Sequence, residues 1–387
     1  MSESPNQSTI RVGFVMHKMQ VAGAEVLVEQ IIDRLDGRID ATVFCLDDVG
    51  EIGYRLRDNG VPVIVLGRRP GMDLSVASKL ATEVKQRGIQ VLHAHQYTPF
   101  FYSAIARIRY GAKAKVIFTE HGRHYPDVVS WKRRLANRAL LQRYADITTA
   151  CCDFSTKALQ TIEGFPKAFT LNNGVDVSDL VPRGDAAERA ALRDRLGLDQ
   201  DRPYAACIAR FHEVKDHATL IRAWARVHEQ LPEAELLLVG DGEERANIEN
   251  LITKLSSTGN SQLASRISLL GIRNDVPDLL RAIDVFTLTS VSEAASLTLL
   301  EAMASECPSV VTDVGGNSEH LRHGVDGYLA PRGDDLKLAE CLLALLRKPA
   351  KAQEFGRSAR KQVLQKFDLN DAIDQYLEHF KALAGTA

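Results

Sequence analysis

The stretch VFTLTSVSEAASLTLLEAMA, Val285 to Ala304, changes character halfway. Val285 to Thr289 is a short β-branched and aromatic run, the composition of a buried strand. Ser296 then stands where a helix N-cap is wanted, and a helix is expected from near Leu297. The segment therefore reads as one strand, one loop and one helix, the unit from which parallel sheets are built. Two carboxylates mark it, Glu293 in the loop and Glu301 in the second helical turn. Eight residues along a helix turn a side chain by ~80° and carry it ~12 Å. A loop position lets Glu293 fold back, so that both acids can grip hydroxyls of one elongated polar ligand while free N–H groups at the helix start hold an anion. In isolation the pair reads equally well as two exposed glutamates on a surface helix.

Worked outward from this unit, the same alternation fills the chain twice. In the first half the apolar runs are Ile10 to His17, Ala41 to Leu46, Pro62 to Leu66, Val91 to His95, Lys115 to His121, Asp146 to Cys151 and Phe169 to Asn172, with helical segments such as Ala24 to Leu35 and Ser75 to Arg87 between them. A polar stretch from Asp176 to Arg202, with Pro182 and Gly184, reads as linker plus entry helix. Strand patterns then resume at Tyr204 to Ala209, Glu235 to Val239, Ile267 to Leu270, Val285 to Thr289 and Ser309 to Thr312. The expected fold class is α/β, with two Rossmann-like doubly wound parallel-sheet domains facing a cleft, one over residues 1–175 and one over 176–368. Such sheets bind ligands at the carboxyl ends of their strands.

Composition excludes several classes. With 387 residues, 45% hydrophobic and 25% charged, the chain suits a globular protein of two domains. The start MSESPNQST lacks a basic region and an apolar core, so no secretory signal is expected, and no apolar run reaches a spanning length. The six cysteines show no metal-ligand spacing and suit a reducing cytoplasm. Residues 1–175 hold 23 Lys+Arg against 17 Asp+Glu; the remainder holds 25 against 33. Nothing in the pattern asks for nucleic acid.

The turns after the strands carry the candidate chemistry. Gly23 in AGAE opens a helix, where free N–H groups can face an anion, though a plain helix start reads the same. The absence of GxGxxG argues against a dinucleotide site. His121 in FTEHG stands at a strand end, as a structural histidine also would. Arg210 and Lys215 in ARFHEVKDH project from one loop and can converge on one anionic group, or be ordinary surface charge. LLLVGDGEER and LLGIRNDV are glycine turns that permit a ligand near the backbone.

Taken in order, AGAE, VLHAHQ, FTEHG, LNNGVD, ARFHEVKDH, LLLVGDGEER and the long run from LLGIRNDV through SEAASLTLLEAMA to YLAPRGD resemble the retaining GT-B glycosyltransferases of family 4 over nearly the whole chain. The resemblance implies that Glu293 binds donor-sugar hydroxyls and Glu301 the ribose diol. It also implies that Arg210 and Lys215 neutralise the departing diphosphate, that Gly23 approaches the donor and that His121 lies near the reacting centre. Leu297 and Thr298 would offer backbone amides to the phosphates, and the main chain at Arg273 would border the base. A last helix, about 369–387, would pack back on the N-terminal domain. The implied activity is hexosyl transfer from a nucleoside-diphosphate sugar, a UDP-sugar first, to a hydroxyl acceptor, with no metal and no cofactor. The competing readings are a GT-B nucleotide-sugar epimerase and a non-catalytic nucleotide-sugar-binding relative. Ala22, Ala294, Ser296 and Glu306 stand where relatives carry glycine.

One segment is left over. In SWKRRLANRALLQRYAD, Trp131, Leu135, Ala136, Ala139, Leu140 and Tyr144 form an apolar stripe at helical spacing, with Lys132, Arg133, Arg134, Arg138 and Arg143 around it. From Phe101 to Ala145 ten Lys/Arg face two acids, Glu120 and Asp127; Arg123 is one of the ten, with His124 beside it. Two readings stand: a core-packed helix with a solvated basic face, or an acceptor side for an anionic or lipid-linked acceptor, with peripheral contact at the inner face of a membrane.

Overall fold

Short aliphatic runs that cannot solvate their own backbone become the strands of two parallel sheets. The computed structural model describes residues 9–122, 130–257 and 262–385. The chain divides into two compact units, one of residues up to Asn173 together with Asn370 onward, the other Gly174–Leu369.

The first unit holds β1 (Ile10–Met16), β2 (Ile39–Cys45), β3 (Val63–Val65), β4 (Val91–His95), β5 (Lys115–Glu120), β6 (Ile147–Ala150) and β7 (Phe169–Thr170) in the order β3-β2-β1-β4-β5-β6-β7. The second holds β8 (Tyr204–Ile208), β9 (Glu235–Val239), β10 (Ile267–Gly271), β11 (Val285–Leu288), β12 (Ser309–Thr312) and β13 (Gly327–Ala330) in the order β10-β9-β8-β11-β12-β13. All pairings are parallel. Strand order reverses between β1 and β4 and between β8 and β11, and such switch points are where open α/β sheets take ligands. The central strands are buried apart from Arg11 on β1, with Val12, Phe14 and Val15 inside one sheet and Val285, Phe286 and Leu288 inside the other.

The sequence pattern did not reveal β13. Its four residues, GYLA, lie between HGVD and PRGD, which read as continuous turn. The final helix, Leu369–Ala384, belongs to the first unit, where Phe380 meets Phe14 edge-on at 6.2 Å and Tyr376 lies 5.0 Å from His93. At the two ends of the second unit the chain segments run side by side. Val175 pairs with Asp368, and a Cβ on Gly174 would come within 2.5 Å of the Leu369 backbone. All six cysteines are buried, and none of them forms a disulfide.

The helix Trp131–Ala139 corrects the core-packed reading of its apolar stripe. Trp131 is 69% exposed, Leu135 61% and Leu140 43%, while the buried residue is Asn137. The polar side holds the helix in place. Asn137 donates to the Glu163 carbonyl (2.8 Å) and accepts from the Tyr97 hydroxyl (2.7 Å), and Arg133 ion-pairs with Glu163. Arg123 and His124 lie outside the described residues.

Candidate functional site

In the second unit the site is assembled where β8 and β11 end. Beyond Ile208 the chain makes a short 3-10 turn, Glu213–Lys215, in which His212 Nδ1 accepts from the Val214 N–H (3.1 Å). Asp216 then caps the helix His217–Gln230 from a left-handed conformation, φ 45°. The loop after β11 is bound to this turn: Thr289 Oγ1 donates to the carbonyls of Lys215 and Asp216, both at 3.0 Å, and Val291 N–H donates to Val214 O (2.9 Å).

These bonds bring Lys215 against Glu293, and the two side chains are ion-paired. Ser290 Oγ donates to the same carboxylate at 2.6 Å. From the third side, the loop after β12 passes so close that a Cβ on Gly315 would sit 1.8 Å from the Glu293 carbonyl oxygen, and Gly316 N–H donates to that oxygen (3.1 Å). Three strand ends thus fix Glu293, two through its carboxylate and one through its backbone carbonyl.

The helix read from the opening stretch spans Leu297–Ala304, and Ser296 Oγ caps it by accepting from Leu299 N–H at 3.3 Å. Leu297 and Thr298 occupy its first turn, where backbone N–H groups lack intrahelical acceptors. Glu301 differs from Glu293. Its carboxyl has no hydrogen-bond or ion-pair partner among the described residues, and burial pushes its pKa above the ordinary glutamate value. Arg210 is exposed, and its side chain likewise has no partner among the described residues.

One of the two glycine turns works differently from the expectation. Gly240 and Gly242, with φ of 132° and 155°, bring the β9 loop against the protein's own backbone rather than leaving room for a ligand. A Cβ on Gly240 would lie 2.1 Å from Ala209 O, and one on Gly242 2.3 Å from Phe211 O. The turn thereby braces the loop that carries Arg210. Gly271, φ 66°, has open space around it. The Arg273 guanidinium chelates Asp275, Nε to Oδ1 at 2.7 Å. It lines a cavity of about 340 Å³ together with Tyr204, Glu235 and Ser268, which lie at or near the starts of their strands. Its side chain is therefore not gathered with Lys215 and Glu293.

In the first unit, Gly23 opens the helix Gly23–Arg34 behind Ala22, and no side chain caps it. Glu25, in that first turn, is 6% exposed, and burial pushes its pKa up. His121 follows β5, and its Nε2 lies 2.7 Å from Nδ1 of His95 on β4. Burial depresses the His121 pKa to about 4. Sequence reasoning missed Ser290, Gly315 and His95 as parts of these arrangements; VLHAHQ and VTDVGGN carried the signal without a role attached to it.

The family model described as Glycosyltransferase Family 4 matches residues 21–179, and that described as Glycosyl transferases group 1 matches residues 188–362. The chain is 28% identical over 310 residues to the N-acetyl-alpha-D-glucosaminyl L-malate synthase of Bacillus anthracis, covering 79% of this chain and 78% of the relative. To the UDP-Gal:alpha-D-GlcNAc-diphosphoundecaprenol alpha-1,3-galactosyltransferase of Escherichia coli it is 24% identical, covering 78% of each. Among solved structures, Anabaena HepE in complex with UDP superposes with TM-score 0.84 at 23% identity, covering 96% of this chain and all of that one. The fold is GT-B.

Proposed function

Since the chain belongs to the group 1 glycosyltransferases of family 4, we propose that it moves a hexosyl group from a nucleoside-diphosphate sugar, a UDP-sugar first, to a hydroxyl acceptor, with retention at the anomeric carbon and without a metal ion. The observation that carries this reading is the contrast between the two glutamates. Glu301 is a desolvated carboxyl with no partner among the described residues, the state expected of a group whose partners are the two hydroxyls of a ribose. Glu293 is fixed beside Lys215, where sugar hydroxyls and a diphosphate oxygen can be held together.

When the bond between the anomeric carbon and the diphosphate oxygen breaks, its electron pair stays on that oxygen. Arg210, Lys215 and the N–H groups of Leu297 and Thr298 supply positive potential there, which is the main requirement of the step and favours a metal-independent route. The UDP preference is supported by the UDP-bound Anabaena neighbour and by the UDP-Gal enzyme of E. coli. A thermal-shift panel of UDP-, GDP- and ADP-sugars tests it, because a ligand bound only by the native state raises the melting temperature. A shift with GDP- or ADP-sugars alone overturns the base assignment. Donor isomerisation without transfer would favour an epimerase, and binding without turnover a non-catalytic relative.

The acceptor side is assigned to the first unit. The helix Trp131–Ala139 turns Trp131 and Leu135 outward among exposed Lys132, Arg134 and Arg138, and no acidic residue interrupts it. This supports an anionic or lipid-linked acceptor met at a membrane surface. No described helix is long and apolar enough to cross a membrane, so the contact proposed is peripheral. Each basic residue adds about 1 kcal/mol near anionic lipid and is screened by salt. Co-sedimentation with anionic vesicles at low salt, lost at high salt, is the expected result. Equal retention by neutral vesicles removes the anionic-surface version.

A further inference from the structure

Glu25 is an acid in an apolar position, and the transfer chemistry above gives it no task. It is the third residue of the helix Gly23–Arg34, and Val28 and Ile32 continue its stripe at spacings of three and seven, so it stands on the buried face. It is as enclosed as Ala24 and Ile32 beside it. Burial raises its pKa, and what offsets the desolvation is its own backbone N–H and the through-space field of Lys18. Among the described residues it forms no ion pair. One N–H cannot serve a carboxylate, which offers about four acceptor positions.

The third helical position is also where an acid closes a capping box, but the donor there is the N–H of the N-cap residue. Ala22, the N-cap, is not among the groups that act on Glu25, and it has no side-chain cap of its own to return. Nitrogens of His93, His95 and His121 are sealed in this unit without a partner; the oxygens of Glu25 are not among such atoms. What Glu25 lacks is a partner, not access.

The helix follows β1, one lip of the switch point between β1 and β4. In its first turn the N–H groups of Gly23 and Ala24 have no intrahelical acceptors, so donors and a carboxyl acceptor share one turn. A phosphate only accepts hydrogen bonds and sets its negative charge against the carboxylate. A hydroxyl accepts from an N–H and donates to a carboxylate, and two neighbouring hydroxyls can use both oxygens. Glu301 is the counterpart in the second unit, a buried carboxyl without a partner among the described residues, on the helix that follows β11 at the other switch point.

We propose that Glu25 is a substrate-binding residue that receives two neighbouring hydroxyls of the acceptor, with the N–H groups of Gly23 and Ala24 as the matching donors, so that the reactive end of the acceptor is a sugar or polyol. This rests on the transferase reading for the acceptor, but not for the binding of hydroxyls.

The test follows transfer from UDP-glucose, or from the sugar nucleotide that the thermal-shift panel selects, to methyl α-glucoside, myo-inositol and n-butanol. Wild type should use the two polyols and not the simple alcohol. Glu25→Gln should lower kcat/KM for the polyols about 10- to 100-fold, the loss of hydrogen bonds to a charged group, with the KM for the donor unchanged. Glu25→Leu should abolish transfer to them and raise the melting temperature at pH 7, because a carboxyl whose folded-state pKa is raised costs stability above that pKa. Wild type that uses butanol alone or none of the three probes overturns the proposal, as does unchanged polyol transfer in Glu25→Gln. A raised donor KM in Glu25→Gln moves the residue to the donor and overturns the acceptor assignment. A lower melting temperature in Glu25→Leu makes Glu25 structural and overturns it too. Failure of the whole sugar-nucleotide panel strikes the transferase reading itself, whereas donor binding without polyol transfer strikes only Glu25, so the two failures are distinguishable.

Discussion

The ammonium of Lys215 and the carboxylate of Glu293 are each other's partners, with 22% and 11% of their side chains exposed. The cation proposed for the leaving group is thus already balanced by the acid proposed for the sugar, and a bound diphosphate has to share Lys215 with Glu293.

Arg210 and Lys215 therefore separate under mutation. Each replaced by Ala should lower turnover by ~10²- to 10³-fold, since each stabilises charge that grows in the transition state. Only Lys215→Ala leaves a mostly buried carboxylate without its cation, at a cost of about 1–3 kcal/mol. Thermal unfolding should show a lower melting point for Lys215→Ala and none of that loss for Arg210→Ala. The double variant Lys215→Ala/Glu293→Gln should regain stability but not turnover.

Glu301 predicts a conflict between stability and binding. Its folded-state pKa lies above the ordinary 4.5, so the native state holds the proton more tightly than the unfolded chain. The resulting cost is absent below that ordinary value, develops as pH rises through the folded-state pKa, and is complete above it. Glu301→Gln should match wild type in chemical denaturation at pH 4 and exceed it at pH 7, while losing affinity for bare UDP. Glu293→Gln should keep UDP affinity and lose sugar transfer. Calorimetry with UDP giving the opposite assignment would remove the division of labour.

Gly315 stands at φ 51° with the Glu293 carbonyl where a side chain would begin. Gly315→Ala should displace Glu293 without touching Glu301. Sugar transfer falls while UDP binding persists; a variant with normal transfer would show that this close approach does not set Glu293.

Glu306 sits in the left-handed region, φ 58°, at the end of the helix Leu297–Ala304. Cys307 N–H donates to Ala302 O and Glu306 N–H to Met303 O, a helix stop whose C′ position favours glycine. Glu306→Gly should raise unfolding free energy by about 1 kcal/mol with turnover unchanged.

Local features were legible in the sequence. Ser296 announced its helix, and the runs at Val91–His95, Glu235–Val239 and Ser309–Thr312 matched their strands residue for residue. What the sequence left hidden is what pairing at long range decides. His95 and His121 are 26 residues apart, and their hydrogen bond exists because β4 and β5 are neighbours in one register. Gly240 and Gly242 looked ligand-facing because glycine after a strand says that space is needed, not what needs it. The helix Trp131–Ala139 looked core-packed because periodicity marks an apolar face, and only the bonds of Arg133 and Asn137 to Glu163 show which face is held.

The first unit is discontinuous: the chain leaves it after Asn173 and returns at Asn370. During synthesis, β1 and β4 therefore emerge and can pair while the helix that brings Tyr376 and Phe380 onto His93 and Phe14 is still unmade. Those rings wait uncovered until every residue of the second unit has left the ribosome. A chain arrested anywhere in that interval carries a half-finished apolar core, the kind of surface that chaperones hold and that aggregates when they do not.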